Sequence, residues 1–258
     1  MKLGSGSPTL LHMPTPTSRA RPQSIWWNAI IVAVGTASMI TQMVFVIQGK
    51  NVLTVSGALP PVGTRIIRFF SYFTIESNIL AAAVALNLVL SPHRDGRVWR
   101  VLRLNALVGI SLTGLIYVTL LRPIVNLQGL NKLCDIGVHY VVPIMVVLGW
   151  LAFGPRPRID TRTLLPSLIF PAAYVIYTFA HGAVSHWYPY PFVDVTALGY
   201  QVGLRNGAGL CLLLLGFSAL YMIVDGWLSP RRSVPTSTPG DDPADRTASG
   251  AATRRPQA

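Results

Sequence analysis

Residues 65–90 read RIIRFFSYFTIESNILAAAVALNLVL, and this stretch decides the kind of fold that the chain adopts. It contains an apolar run long enough to cross a membrane as a helix, which takes about 20 mainly apolar residues. Five other windows share this character. The six predicted spans lie at about 26–47, 66–90, 101–121, 135–153, 163–185 and 203–228. The 258 residues are 51% hydrophobic and 12% charged, which excludes a soluble globular protein.

The sequence therefore predicts an all-α fold, a polytopic membrane bundle of six transmembrane helices at 26–228. The preceding residues, 1–25, contain several prolines and arginines and are predicted to be a flexible segment. The window that follows is too long for a signal peptide, so it is read as a retained span. Residues 229–258 hold five prolines among small and polar residues, and we predict a disordered tail because such a composition cannot bury a core.

Lysine and arginine divide unequally between the two sides of the predicted bundle. Fifteen lie in the terminal segments and around the connections between windows two and three and between windows four and five, whereas six lie on the other side. Because positive residues in short flanks stay cytoplasmic, both termini are predicted to face the cytoplasm. The net charge of +12 is then mainly a topology signal, and nucleic-acid binding is not expected.

Several kinds of site are disfavoured by the residues themselves. The three lysines lie outside the windows, which excludes a retinal Schiff base, and no GxxxxGK[ST] phosphate loop is present. Two cysteines, Cys134 and Cys211, cannot build a disulfide framework or a zinc site alone. His181 and His186 are badly spaced for two ligands on one helical face, so no metal or other cofactor is predicted.

The second window carries polar residues that are expensive inside a membrane. Ser71, Thr74 and Asn78 share one helical face, which continues into small alanines suited to helix contact. Ser77 is adjacent to that face. Glu76, the only glutamate in the chain, points elsewhere, either to another helix or to the outer interface, where it could meet Arg68. The hydroxyl and amide groups are candidates either for interhelical hydrogen bonds or for a site.

The fourth window begins at Asp135, and His139 follows four residues later, which makes the two side chains neighbours on one helical face. The aspartate can accept a hydrogen bond from one imidazole nitrogen and leave the other as a base. Alternatively, Asp135 begins the helix, where a carboxylate favours the dipole, or pairs with Lys132. Thr74 lies about 12 Å and His139 about 7 Å from the outer ends of their windows, at 1.5 Å per residue. A base-activated nucleophile is therefore possible, with Thr74 Oγ within about 4–5 Å of a His139 ring nitrogen.

The later windows add polar residues at the same predicted outer end. On the fifth window, Tyr177 and His181 belong to a polar stripe that runs toward the predicted outer end. Pro166 and Pro171 are predicted to kink the other half of this window. The stretch WYPYPFVDV at 187–195 predicts an interfacial aromatic belt or a re-entrant lid. Arg205 and Asn206 open the sixth window, and Arg205 is a candidate partner for a carboxylate or an oxyanion.

Three strings, YFTIESNIL at 72–80, DIGVHYVVP at 135–143 and YPYPF at 188–192, occur in the order and spacing of a known family. In them the chain resembles six-span actinobacterial membrane proteins related to the androgen-induced-gene family, over roughly 26–228. Animal members are intramembrane hydrolases of fatty-acid esters of hydroxy fatty acids, with a threonine nucleophile and a histidine. The resemblance implies these roles for Thr74 and His139. The chain departs from animal members in having Asp135 where they carry asparagine.

Together these features predict an intramembrane lipid-ester hydrolase of the bacterial plasma membrane. Thr74 is the predicted nucleophile, His139 the base and Asp135 the residue that orients it. Candidate oxyanion or substrate contacts are Ser77, Asn78, Arg205, Asn206, Tyr177 and His181. The alternatives are a proton-coupled or small-solute transporter, in which Glu76, Asp135 and His139 relay protons, and a noncatalytic lipid-binding protein. The expected partners are membrane lipids and a lipid ester, and the sequence gives no oligomeric state.

The unequal distribution of lysine and arginine makes a prediction about orientation. Alkaline phosphatase fused to the C-terminus should be inactive in cells, because that enzyme folds only outside the cytoplasm, whereas a fluorescent protein fused there should be bright. The same pair of fusions after residue 47, which ends the first window, should give the reverse result. An active C-terminal phosphatase would overturn the predicted topology.

Overall fold

The computed structural model describes residues 22–50 and 58–229. Within these ranges the chain forms seven helices and no strand, and six of the helices are long and apolar enough to cross a membrane. They are α1 (Pro22–Ile47), α2 (Val62–Phe70), α3 (Phe73–Leu90), α4 (Arg97–Ile124), α5 (Gly129–Phe153), α6 (Thr161–Ser185) and α7 (Val195–Trp227), and only α2 is too short to cross. The predicted all-α, six-span fold is confirmed, and the chain is a multi-pass membrane protein.

The two terminal predictions concern residues that lie mostly outside the described ranges. Helix α1 is described from Pro22, four residues before the predicted span, and proline is tolerated in a first helical turn because its missing N–H is not needed there. The proposed tail at 229–258 lies outside the described residues except for Ser229. Which side of the membrane each terminus faces stays a prediction.

The second predicted span is divided in two. Helix α2 ends at Phe70 and α3 begins at Phe73. The prediction that Ser71 shares a helical face with Thr74 and Asn78 is therefore wrong, because Ser71 lies outside α3. Ser71 instead closes α2, where its backbone N–H donates to the Ile67 carbonyl at 3.0 Å and its hydroxyl donates to the same oxygen at 2.8 Å. The division matters because it exposes the first-turn amides of α3 in the middle of the apolar run.

Prolines shape three of the spans. Helix α4 contains a π-helical turn at Tyr117–Leu121, and α5 contains one at Gly137–Val141, each closely followed by a proline, Pro123 or Pro143. Because proline cannot donate to the preceding turn, such helices rearrange their hydrogen bonds locally. In α6 the helical pattern is interrupted at Leu168, between Pro166 and Pro171, where the sequence predicts a kink.

Helix α7 begins at Val195, eight residues before the predicted sixth span, and Asp194 caps it by accepting from Thr196 N–H at 2.9 Å. It bends at Gly199, whose φ of 76° is accessible to glycine without steric cost. Prediction from hydropathy missed this start because the first turn contains polar and small residues.

Helices α3 and α4 form the centre of the bundle, since about half of each apolar span is buried, against about a quarter of the others. Small residues allow close approach: a Cβ added at Gly109 of α4 would lie 3.1 Å from Ser77 Oγ of α3. Likewise, a Cβ at Gly114 would lie 3.3 Å from Pro143 Cβ of α5, and one at Gly137 would lie 2.3 Å from Ser38 Oγ of α1. These contacts fix α1, α3, α4 and α5 against one another.

The bundle has two chemically different ends. We call the end where α3 and α5 begin the Thr74 end, and the end where they finish the arginine end. At the arginine end, the buried Asp225 of α7 accepts hydrogen bonds from the backbone N–H groups of Arg158 and Ile159, at 2.7 and 3.0 Å. This carboxylate fastens the connection between α5 and α6 to α7.

At the Thr74 end, the aromatic segment between α6 and α7, residues 186–194, packs against a glycine. A Cβ at Gly182 would lie 2.1 Å from Tyr188 Cε1, and Tyr188 is buried.

We expect Gly182→Ala to destabilise the purified protein by about 1–3 kcal/mol through overpacking, and to lower its melting temperature. Gly216→Ala is the matched control, because nothing lies within 4 Å of a Cβ there. Equal melting temperatures for the two variants would contradict this packing.

Candidate active site

At the Thr74 end, a chain of hydrogen-bonded polar side chains runs from α3 through α5 to α4. Thr74 Oγ1 lies 3.3 Å from His139 Nε2, and His139 Nδ1 lies 2.9 Å from Asp135 Oδ1. The hydroxyl of Tyr117 donates a hydrogen bond to the other oxygen of Asp135. The predicted approach of Thr74 to within about 4–5 Å of a His139 nitrogen is confirmed. The roles of these residues in catalysis stay a prediction.

The two π-helical turns hold the middle of this chain. His139 lies in the π-turn of α5, just after Asp135, and Tyr117 begins the π-turn of α4. The Tyr117 and His139 rings stack with centroids 4.0 Å apart and an angle of 17° between their planes. The stacking restricts rotation of the imidazole, and the Asp135 carboxylate and carbonyl both accept from Nδ1–H, the latter at 3.1 Å. Nε2 is then the unprotonated nitrogen facing Thr74 in a neutral ring.

The first turn of α3 is capped by tyrosine side chains from other elements. The backbone N–H of Phe73 donates to the hydroxyl of Tyr174, and that of Thr74 donates to the hydroxyl of Tyr190, both at 3.2 Å. The residue preceding the helix, Tyr72, makes no side-chain cap. Since first-turn amides have no partner within their own helix, the tyrosines satisfy donors that would otherwise be stranded.

Tyr190 also approaches the candidate nucleophile. Its hydroxyl lies 3.4 Å from Thr74 Oγ1. Burial raises the pKa of Tyr190 to about 12, so the phenol stays protonated over the physiological range. Because the oxygen of Tyr190 already accepts from Thr74 N–H, its own proton remains available for donation to Thr74 or to a group bound beside it.

An apolar cavity of about 50 Å³ adjoins Thr74 on the side facing α4, α6 and α7. Thr74 lines it, whereas His139 does not, so Thr74 connects the cavity to the imidazole. Thr113 supplies a second hydroxyl to the wall, which is buried and has no hydrogen-bond partner in the part of the chain that the structure describes. Much of the remaining wall consists of aromatic and leucine side chains: Phe73, Leu112, Tyr174, Phe179, Phe192 and Leu210.

Two candidate oxyanion donors are committed to helix packing. Asn78 is fully buried, and its Nδ2 donates to the carbonyls of Thr74, at 2.8 Å, and Val138, at 3.2 Å. Both amide hydrogens are therefore used in joining α3 to α5. Ser77 faces Gly109 of α4, and its hydroxyl has no partner among the described residues. Neither residue lines the cavity beside Thr74.

The other predicted contacts lie away from the cavity wall. Arg205 is exposed, and Asn206 Nδ2 donates to the carbonyl of Phe192 at 2.8 Å, which holds the aromatic segment to α7. Tyr177 shares a 2.6 Å hydrogen bond with Ser71 Oγ. Its ring stacks on that of His181, with the ring centroids 5.5 Å apart. None of these four lines the cavity beside Thr74.

Glu76 stands apart from the Thr74–His139–Asp135 chain. It is partly exposed, and its carboxylate forms no hydrogen bond or ion pair with the described residues. Its predicted partner, Arg68, instead lies over the Trp187 ring at 4.9 Å. In residues 22–50 and 58–229 no group of three or more His, Cys, Asp or Glu side chains is placed to hold a metal ion.

Prediction from the sequence missed three tyrosines. Tyr117 sits in an apolar part of the third window, and nothing in its spacing points to Asp135. Tyr174 falls on the polar stripe of the fifth window, three residues before Tyr177, and Tyr190 falls in the aromatic stretch at 187–195, but neither pattern points to Thr74. The available signal was the YPYPF string, whose two prolines exclude an ordinary helix and so favour a segment folded back onto the bundle.

No family model, curated protein or solved structure matches this chain. The class that the fold defines is a six-span membrane protein.

The geometry predicts the tautomer of His139. In the wild type at a pH where the ring is neutral, ¹⁵N NMR of labelled histidine should show protonation at Nδ1, because Asp135 accepts there. In Asp135→Asn, the new amide can donate to Nδ1 and favour the Nε2–H form. Tyr117→Phe is the control, since it removes a donor to Asp135 and leaves the His139 contact. An Nε2–H ring in the wild type would contradict the arrangement.

Proposed function

We propose that the protein is an intramembrane hydrolase of lipid esters, with Thr74 as nucleophile and His139 as general base. The observation that carries the proposal is the linear arrangement of Thr74 Oγ1, His139 and Asp135, at 3.3 and 2.9 Å, beside an apolar cavity. A hydroxyl, an imidazole and a buried carboxylate in this order are what an activated nucleophile requires. The resemblance in the strings around Thr74 and His139 supports the same roles.

The proposed reaction has two stages. Thr74 Oγ bonds to the carbonyl carbon of the ester while its proton passes to His139 Nε2, and Asp135 stabilises the resulting imidazolium. The tetrahedral intermediate then breaks the ester C–O bond, and His139 returns the proton to the departing alkoxide. In the second stage water attacks the acyl-threonine carbonyl while one of its protons passes to His139. The bond from the carbonyl carbon to Thr74 Oγ then breaks, His139 returns the proton to that oxygen, and the carboxylic acid and free Thr74 are released.

Tyr190 is the best placed donor for the oxyanion. Its protonated hydroxyl is 3.4 Å from Thr74 Oγ1, and it belongs to the wall of the cavity where the carbonyl would lie. It therefore takes the part that the sequence had suggested for Ser77, Asn78 or Arg205. A preorganised donor in an apolar site stabilises developing charge more than it would in water, because competing solvent is excluded.

The substrate class follows from the surroundings of Thr74. The cavity wall is almost entirely apolar and lies within the helical bundle, so it suits the acyl chain of a membrane lipid rather than a charged solute. The chemistry uses only side chains, and we propose no cofactor. The membrane that we propose is the bacterial plasma membrane, as the family resemblance suggests.

The transporter alternative depends on a proton relay through Glu76, Asp135 and His139. Asp135 and His139 are in contact, but Glu76 forms no hydrogen bond or ion pair with either of them.

Ester hydrolysis and pH-dependent uptake, measured in the same proteoliposomes, separate the alternatives. Uptake that responds to Asp135→Asn, in vesicles where no ester is hydrolysed, would favour transport, and the absence of both activities would favour lipid binding alone.

A fluorophosphonate probe tests the nucleophile directly. We expect the wild-type protein to be labelled covalently, and Thr74→Ala and His139→Ala to lose the label, because one lacks the attacking oxygen and the other its base. Thr113→Ala is the matched control, since Thr113 presents a buried hydroxyl to the same cavity without a histidine beside it. Peptide mapping should place the label on Thr74.

Two further variants test the proposed roles of Tyr190 and Asp135 through the turnover of a lipid ester. Tyr190→Phe should lower the turnover of a lipid ester by about 10²–10³-fold if its hydroxyl binds the oxyanion. Asp135→Asn should lower turnover much more than substrate binding, because the ring would present the wrong nitrogen to Thr74. Labelling that survives in Thr74→Ala, or hydrolysis unaffected by His139→Ala, would remove the pair from the mechanism.

A further inference from the structure

We propose that the arginine end holds a binding site for the phosphate group of an anionic phospholipid, with Arg103 as its central ligand. The site is at the opposite end of α3 and α4 from Thr74, and it does not depend on the proposed hydrolase activity.

The proposed site is a cavity of about 60 Å³ between α1, α3, α4, α5 and the connection that follows α5. Three arginines, Arg100, Arg103 and Arg158, contribute to its lining. Most of the remaining wall is apolar and includes Ile31, Ala81, Val84, Leu104, Leu107 and Val146. A cavity with cations and an apolar wall matches a molecule with an anionic headgroup and a hydrocarbon tail.

Arg103 differs from the other basic residues at this end in being only 8% exposed. Its Nη2 donates to the carbonyl of Arg94 at 2.9 Å and, at 3.5 Å, to Asn87 Oδ1. Its Nε and Nη1 are buried and have no acceptor among the described residues. A buried cation with unused donors is unfavourable unless a charged group comes to pair with it.

The acidic residues nearby are engaged elsewhere. Asp95 accepts from Arg100 Nε at 2.9 Å and Nη2 at 2.8 Å, and it also pairs with Arg158. The hydrogen bond from Arg100 holds the pKa of Asp95 well below its usual range, so that carboxylate is ionised. Asp160 caps α6 by accepting from Thr163 N–H at 2.8 Å, and Asp225 holds backbone amides. Within residues 22–50 and 58–229, Arg103 forms no ion pair, and Arg158 Nε also has no acceptor.

A topological role does not account for Arg103. Arginines that mark the cytoplasmic side reach toward water and headgroups, as the exposed Arg97 can. Arg103 lies six residues further along α4, about 9 Å deeper, where it is buried and belongs to the lining of the cavity. An excess of guanidinium groups over carboxylates fits a phosphate, which arginine binds through several charge-assisted hydrogen bonds.

Thermal unfolding with a soluble short-chain lipid tests the site. Dioctanoyl phosphatidate, titrated into wild-type protein in a neutral detergent, should raise the melting temperature in a saturable way. Dioctanoylglycerol, which has the same tails and no phosphate, and inorganic phosphate, which has no tails, should each give a much smaller shift. Arg103→Gln should weaken the apparent affinity for the phosphatidate by tenfold or more, since a charged contact is lost.

Two variants provide the comparison. Arg97→Gln, at an exposed position of the same helix, should keep the apparent affinity within about twofold, since that residue lies outside the cavity. Arg158→Gln should also weaken binding, and its partly exposed side chain makes it a second variant should Arg103→Gln not fold. Equal affinities in Arg103→Gln, Arg158→Gln and the wild type would overturn the site. An equal response to inorganic phosphate would overturn the assignment to a lipid.

Discussion

The backbone N–H groups at the start of α3 impose the constraint on which the Thr74 end depends. These amides have no partner in their own helix, and within an apolar bundle water does not replace one. Phe73 and Thr74 therefore donate to Tyr174 and Tyr190, which come from α6 and from the segment that follows it. Tyr174 in turn donates to the carbonyl of Ser71 at 3.1 Å. Meeting one local requirement thus assembles three parts of the chain around Thr74.

Prolines impose the complementary constraint on α4 and α5, because each removes a backbone donor and leaves a carbonyl of the preceding turn without its usual partner. Their π-turns place Tyr117 and His139 face to face and direct the imidazole toward α3. A regular helix would present these side chains at other angles, because a π-turn shifts the register of the residues on either side of it. The approach of Thr74 to His139 therefore depends on irregular backbone in all three helices that surround the site.

Much of the fold follows from the sequence, because apolar runs about 20 residues long report directly on helices that cross a membrane. The proximity of Thr74 and His139 also follows from counting residues from the ends of two spans that run in the same direction. The break at Ser71 and Tyr72 does not, since the apolar pattern continues through it. Tyr190 was unpredictable as a neighbour of Thr74 because a connecting segment has no periodicity to give its direction. Arg103 was counted among flanking charges, and only its surroundings show that it is buried.

Close contacts at glycines divide the bundle into two groups of helices. Gly109, Gly114 and Gly137 hold α1, α3, α4 and α5 together, whereas Gly182, Gly203 and Gly207 hold α6, residues 186–194 and α7 together. The cavity beside Thr74 lies along the seam between the groups, but the Thr74–His139–Asp135 chain lies wholly within the first. A small separation along the seam would therefore leave the hydrogen bonds of that chain intact but break those that the Phe73 and Thr74 amides donate to Tyr174 and Tyr190.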